Sequence, residues 1–307
     1  MTKVLTTGRL GKEFRDAIRN EKEHIEVLYT DEPSPADIAG ADCLACFSVP
    51  DKVYISGIKW IHSFGAGADS FLRRNDFNPK ITLTRTVGRL GLRMGEFCLC
   101  HILNFFQNTF RLYENKRVKK WETDYPVSLK GKTVLILGTG EMARGIARLL
   151  HPFQTEVIGV NTSGSKTDNA FSTCIKFAEV KSVANRVSCI VNTLPLSHHT
   201  KGLLDKRFFG LFHRALFVNV GRGKSVVTGD LLSALEASNL AYAVLDVFED
   251  EPLPVESPLW EHSDIFISPH QSALTDIHDI VESFYEAYRL MQSGKRNYLF
   301  VDIERGY

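Results

Sequence analysis

The sequence has almost no excess of either charge: 37 lysines and arginines stand against 36 aspartates and glutamates in 307 residues, a formal net charge of +1. A chain without a net field does not concentrate on phosphodiester backbones or anionic lipid, which excludes nucleic acid and membrane as partners. Long apolar runs are lacking too. Nothing approaches the ~18 consecutive apolar residues of a membrane span, and the opening MTKVLTTGRLGKEF has no signal-peptide core, so a cytoplasmic location is expected. Cysteine is scarce. Six in 307 residues are too few for a disulfide framework, and Cys43, Cys46, Cys98, Cys100 and Cys189 lie in apolar stretches, as reduced core thiols would. Repeats and low-complexity tracts are absent, and a composition 44% hydrophobic and 24% charged excludes the disordered and collagen-like classes.

What is present is a rhythm of short apolar runs and helical periodicity, long enough for two domains. Up to about residue 90, KVLTT, HIEVLYT, DCLACFSV, KWIHSFG and ITLTRT read as five strands, and GKEFRDAIRN reads as a helix with Phe14 and Ile18 on one face. Residues 91–118 hold no proline and glycines only in the first turns, which predicts one long helix bridging two domains. Then come TVLILG, EVIGVN, CIVNTL, ALFVNV, AYAVLDV and DIFIS, near-continuous apolar strands with helical stretches such as EMARGIARLL and DLLSALEAS among them. That pattern predicts a doubly wound parallel sheet of six strands, a Rossmann-type domain. A last helix carries Ile277, Ile280, Val281, Phe284, Ala287 and Leu290 as its apolar stripe and stops at Gly294.

Gly138-Thr139-Gly140-Glu141-Met142-Ala143 follows the strand TVLIL and opens a helix. In that context Gly138 permits the tight turn, Gly140 lets a pyrophosphate approach the backbone and Ala143 keeps helix and strand close. An NAD site usually adds a carboxylate about 20 residues on, at the end of the second strand. Here Asn161, Thr162, Ser163 and, slightly further on, Lys166 stand there instead. Amide, hydroxyl and ammonium groups accept a 2′-phosphate that a carboxylate would repel, so NADP is expected in preference to NAD.

Ligands of an open parallel sheet bind outside the carboxyl ends of its strands. Arg222 follows ALFVNV between two glycines, Asp246 and Glu251 follow AYAVL, and His270 follows DIFIS. A guanidinium clamps a carboxylate, and a His–Glu pair moves a proton near neutral pH, which beside a nicotinamide suits a 2-keto or 2-hydroxy acid.

NVGRG (219–223), LDVFEDEPLP (245–254), SPLW (257–260) and ISPHQSA (267–273) resemble the signature stretches of the D-isomer-specific 2-hydroxyacid dehydrogenase family, most nearly its glyoxylate/hydroxypyruvate reductases. LPLSHHTKGLLDKRFF (194–209), the GTGEMARGIA turn and SFGAGAD (63–69) are similar to further family stretches. The resemblance implies two Rossmann-like α/β domains, a dinucleotide-binding domain (91–274) inserted into a smaller flavodoxin-like substrate domain (1–90 and 275–307). It implies Arg222 on the substrate carboxylate and carbonyl, His270 as proton donor, Glu251 keeping His270 protonated, and Ala66 and Gly67 binding the carboxylate through backbone amides. Cofactor contacts are implied at Gly138, Thr139, Gly140, Glu141, Met142, Leu194, Pro195, Thr200, Val220, Gly221 and, at the nicotinamide end, Asp246. The expected activity is NAD(P)H-dependent reduction of a small 2-keto acid by a homodimer without a metal. A nucleotide-sensing, corepressor-like binding protein of the same fold is the alternative. RMGEF (93–97), where the family more often has MAEY, preserves Glu96 but puts Gly95 in the bridging helix, where a looser hinge is expected.

Cys43 and Cys46 form a CxxC inside a strand, where residues three apart face opposite sides, and His198-His199 lacks ligand partners at suitable spacing; neither is read as a metal site. The basic cluster Lys116, Arg117, Lys119 and Lys120 is read as a solvated helix end.

Overall fold

The computed structural model describes residues 1–18, 24–55, 57–123, 125–166, 168–304 and 306. The chain divides into two compact units, Met1–Leu90 with Thr275–Tyr307, and Gly91–Leu274. No helix among the described residues is long and apolar enough to cross a membrane.

The first unit is built on strands β1 (Thr2–Thr6), β2 (Ile25–Tyr29), β3 (Cys43–Cys46), β4 (Trp60–Ser63) and β5 (Thr82–Arg85), all parallel, in the order β2-β1-β3-β4-β5. Both central strands β3 and β4 are buried at every position, as strands covered on two faces must be. One face carries Leu5, Leu44, Ile61, Phe71 and Leu83. Aromatic rings cover the other: Phe14, from helix α1 (Gly11–Ile18), lies 5.1 Å from Phe284 and 5.1 Å from Phe64, and Trp60 stacks on Phe284 at 4.9 Å. Two short helices, α2 (Pro35–Ala39) and α3 (Asp69–Leu72), have no periodic signal long enough to read. The first does have a local one, a capping box in which Ser34 and Asp37 satisfy each other's amides ahead of Pro35. The C-terminal helix, Ile277–Gln292, fully buries Ile280, Phe284 and Ala287 of the expected stripe and leaves Ile277, Val281 and Leu290 half-buried. It also buries Asp279 and Ser283, which accept the amides of Arg89 (2.9 Å) and Val87 (3.3 Å).

In the second unit the expected helix over 91–118 is two helices, α4 (Leu90–Phe106) and α5 (Thr109–Arg117). Met94, Cys98, Ile102 and Phe106 form the buried stripe of α4, and α5 buries nothing, so the tertiary reason for one continuous helix ends at Phe106. Asn108 makes the break with φ 55°, and the returning chain claims the freed Phe106 carbonyl through the Val127 amide at 2.8 Å. Cys98 is buried but Cys100, two residues on and about 200° round the helix, is exposed, which corrects the expectation of a core thiol.

The sheet contains β6 (Thr133–Leu137), β7 (Glu156–Val160), β8 (Thr173–Ile175), β9 (Val187–Asn192), β10 (Ala215–Asn219), β11 (Leu240–Leu245) and β12 (Ile265–Ile267). Its order is β12-β11-β10-β9-β6-β7-β8, every pair parallel, so the winding reverses between β6 and β9. The edge strand β8 is the one the sequence does not announce, being only three residues long. Helix α6 (Glu141–Leu150) crosses α4 backbone to backbone: a Cβ on Gly145 would stand 2.1 Å from Gly91 O, and one on Gly95 3.0 Å from Gly145 O. Gly95 therefore serves a close crossing of two helices.

Candidate active site

The rim at the carboxyl ends of the second unit's strands gathers most of the candidate residues. At the end of β6, Gly138 has φ 103°, and a Cβ there would meet Thr193 Oγ1 at 2.5 Å, so no other residue fits the turn. Nothing lies within 4 Å of a Cβ built on Gly140, which leaves open space beside the backbone. Gly140 is the N-cap of α6 and, having no side chain, caps none of its first-turn amides. Ala143 is wholly buried, Met142 is half-buried, and Glu141 is ion-paired with Arg144.

Asn161 organises the end of β7. Its Oδ1 accepts from Ser163 N (3.1 Å), Ser163 Oγ (3.2 Å) and Gly164 N (2.7 Å). Its Nδ2 donates to Ser165 O (3.0 Å) and to Thr139 Oγ1 (3.3 Å), tying this loop to the glycine-rich turn. Thr162, Ser163 and Lys166 are exposed. Glu179, whose carboxylate approaches Gly164, accepts the Lys176 amide at 2.7 Å.

At the ends of β9 and β10 lies a buried network that the sequence reading missed. Asn192 Nδ2 donates to Asn219 Oδ1 (2.9 Å) and Ser225 Oγ (2.8 Å), and the two asparagine oxygens accept the amides of Leu194 (3.1 Å) and Gly221 (3.3 Å). Ser225 Oγ in turn donates to Arg222 O at 2.6 Å. Val220 is buried, and Thr200 Oγ1 donates to Pro195 O at 2.6 Å, closing the 194–200 loop on itself. Arg222 is extended (φ −138°, ψ 135°) between two glycines on which other loops rest. A Cβ on Gly221 would stand 2.8 Å from Leu194 O, and one on Gly223 1.9 Å from Phe248 C. A signal for the network was available: apolar strands that end in Asn192 and Asn219, where a buried amide needs partners.

His270 takes a left-handed backbone (φ 51°), its amide donating to Asp246 O at 2.9 Å. Asp246 is fully buried, and its carboxylate accepts Ser268 Oγ (2.7 Å), Gln271 N (2.8 Å) and Ser272 N (3.0 Å), so it holds the segment that carries His270. The His270 ring meets Glu251 through Nδ1 and Oε2 at 2.7 Å, and Glu251 Oε1 accepts the Phe248 amide at 2.9 Å. Partial burial alone would push the Glu251 carboxyl up; the hydrogen bonds from His270 and Phe248, with the positive charges of His270 and Arg222, hold it below the ordinary carboxylate value.

In the first unit, Ala66 and Gly67 lie half-buried after β4. Arg85 Nη1 donates to Ala66 O (3.3 Å) and Ser63 Oγ to Gly67 O (2.9 Å). The carbonyl of a trans peptide points opposite to the next amide, so fixing these two carbonyls turns the amides of Gly67 and Ala68 away from Arg85 and Ser63. Among the described residues no three His, Cys, Asp or Glu side chains gather as a metal would require.

Known proteins match this architecture along nearly its whole length. The D-isomer specific 2-hydroxyacid dehydrogenase NAD binding domain matches residues 99–272, more than half of the chain. A Streptomyces coelicolor protein, described as uncharacterized and from the mprR 3′ region, is 30% identical over 250 residues, covering 81% of this chain and 90% of its own. Glyoxylate/hydroxypyruvate reductase A of Yersinia enterocolitica is 27% identical over 283 residues, 88% of this chain and 89% of that one. The structure of the NADPH-dependent glyoxylate/hydroxypyruvate reductase of Sinorhizobium meliloti, in complex with NADP and sulfate, superposes with a TM-score of 0.90 at 25% identity over 100% of both chains. With its glycine-rich turn, its Arg222 loop and its Glu251–His270 pair on one such fold, the chain belongs to the D-isomer-specific 2-hydroxyacid dehydrogenase family, as an NAD(P)-dependent dehydrogenase that acts on 2-keto acids.

Proposed function

We propose that the protein reduces a small 2-keto acid, such as glyoxylate, hydroxypyruvate or a longer homologue, to the D-2-hydroxy acid, with NADPH preferred over NADH. The observation that carries this reading is the 2.7 Å pair of His270 Nδ1 with the Glu251 carboxylate, under the influence of the Arg222 guanidinium. A bound nicotinamide would supply the hydride for C2 of the keto acid. His270, kept protonated by Glu251, gives the proton from Nε2 to the keto oxygen, so the carbonyl becomes a hydroxyl with charge balanced. Arg222 is proposed to hold the carboxylate and carbonyl bidentately, and the Ala66–Gly67 loop to offer backbone amides to a carboxylate.

The glycine-rich turn, with Thr139, Glu141 and Met142, is proposed to hold the pyrophosphate, and Asn161, Thr162, Ser163 and Lys166 the 2′-phosphate. Leu194, Pro195, Thr200, Val220 and Gly221 line the rest of the nucleotide, and Asp246 acts at its nicotinamide end through the loop it fixes. A homodimer is the proposed assembly, on the strength of apolar side chains along α5 and the chain after it: Trp121 is 102% exposed, Tyr125 83% and Val118 71%. NADPH oxidation against a panel of 2-keto acids, run with wild type and His270→Gln, tests the reading. Brisk wild-type turnover and a loss of about 10²- to 10⁴-fold in the variant are expected. Tight nucleotide binding with negligible turnover of every keto acid would overturn it.

A further inference from the structure

The five-stranded sheet of the first unit has its own reversal of winding, between β1 and β3. In open parallel sheets of this order the crevice at the carboxyl ends of those two strands is where ligands bind. Arg9 follows β1 in a turn whose flanking residues Gly8 and Leu10 have φ 67° and 63°. Its guanidinium stands 5.2 Å from the ring centroid of Phe47, which follows β3. Phe47 is wedged edge-on against the buried Phe64 at 5.6 Å, and a Cβ on Gly65 would touch the Phe47 ring at 3.7 Å. Guanidinium, ring and the Gly65–Gly67 loop thus follow one another along a single sheet end.

Several arginines of this unit are matched by acceptors, while Arg296, like Arg9, stands over a ring, 5.6 Å from the Phe300 centroid. Arg74 pairs with Asp76 at 2.8 Å, Arg15 with Asp16 at 2.8 Å, and Arg85 reaches Ala66 O and Tyr298 O. For the exposed Arg9, the cation-π contact with Phe47 is the interaction found, and among the described residues no carboxylate pairs with it. A guanidinium whose only partner is a ring face keeps its N–H donors for an anion.

We propose that Arg9 is a specificity-determining residue that binds a second carboxylate at the far end of the substrate, with Phe47 covering the carbons between. The preferred substrates are then 2-keto dicarboxylic acids of four or five carbons, since the Phe47 ring, 5.2 Å from the guanidinium and 3.7 Å from a Cβ on Gly65, separates Arg9 from the loop. The inference rests on the proposed reduction of 2-keto acids and on the Ala66–Gly67 loop as the anchor of the first carboxylate.

The test is kcat/KM for oxaloacetate and 2-oxoglutarate relative to glyoxylate, in wild type, Arg9→Met and Arg9→Lys. Met keeps an apolar stem over Phe47, and an unchanged Tm shows that the fold persists. The expected result is a dicarboxylate preference in wild type whose ratio to glyoxylate falls about 10- to 150-fold in Arg9→Met, mainly through KM, with Arg9→Lys in between. A ratio that does not move overturns the inference, and so does a wild type that favours glyoxylate. If instead the ratio for 3-phosphohydroxypyruvate is the one that collapses in Arg9→Met, the distal anion is a phosphate and the dicarboxylate assignment fails. Absence of turnover with any keto acid would strike the proposed reduction itself, an outcome distinct from these three.

Discussion

Glu251 binds the His270 ring with one carboxylate oxygen and the Phe248 amide with the other, so the base that steadies the imidazole is fixed at both ends. The arrangement defines Nδ1 as the bonded nitrogen and leaves Nε2 for the proton donation proposed above. Because the folded-state carboxyl lies below its ordinary value, Glu251 stays ionised as the pH falls through the usual carboxylate range and is protonated only below it. Glu251→Gln removes the charge beside the His270 ring while keeping an oxygen for the Phe248 amide. Reduction by this variant is expected to show kcat/KM at pH 7.5 lower by about 10²-fold or more. An unchanged kcat/KM would show that Glu251 does not support the reaction.

Cofactor choice is expected to follow the end of β7. Asn161→Asp keeps an oxygen to accept the Ser163 and Gly164 amides but brings a negative charge to the site proposed for the 2′-phosphate. The ratio of kcat/KM for NADPH over NADH should fall about 10- to 150-fold, the scale of one charge-assisted hydrogen bond at ~1.5–3 kcal/mol. A wild-type ratio favouring NADH refutes the preference.

Two glycines separate packing from nucleotide binding. A methyl on Gly145 would stand 2.1 Å from the Gly91 carbonyl, backbone against backbone, whereas a methyl on Gly140 meets nothing within 4 Å. Gly145→Ala should therefore lower unfolding stability by about 3 kcal/mol or more. Gly140→Ala should leave Tm within a few degrees of wild type while raising the KM for NADPH. Chemical denaturation and cofactor titration of the two proteins check both halves.

Acid should destabilise the fold through two buried imidazoles. Burial pushes His62 down to about 3 and His101 to about 4 from the ordinary 6.5. Below pH ~6.5 the unfolded chain takes up protons that the folded one refuses, so stability falls as pH falls, and continues to fall until the folded-state values are reached. At pH 5 the loss is about 2 kcal/mol for each histidine relative to pH 7.5. His62→Gln, weaker at neutral pH for want of the bonds His62 makes to Thr84 and Thr86, should lose about 2 kcal/mol less on that descent. An unaltered slope in urea unfolding at the two pH values would rule out His62 as the sensor.

Local rules were enough for much of this protein. The five strands of the first unit and six of the seven in the second are legible because an apolar strand covered on both faces needs little beyond its own residues to declare itself. Gly138 is legible because a turn of left-handed φ excludes side chains whatever surrounds it, and Arg222 because it sits between two glycines at a strand end. Tertiary contact decided the rest. The break at Asn108 follows from where the core under α4 stops, and the purpose of Gly95 from a helix fifty residues further along the chain. The amide network of Asn192, Asn219 and Ser225, the hold of Asp246 on the His270 segment, and the Arg9 guanidinium over Phe47 join residues 22 to 38 positions apart. Such pairs have no period in the sequence, because what brings them together is the parallel winding of each sheet, which delivers successive strand ends to one rim.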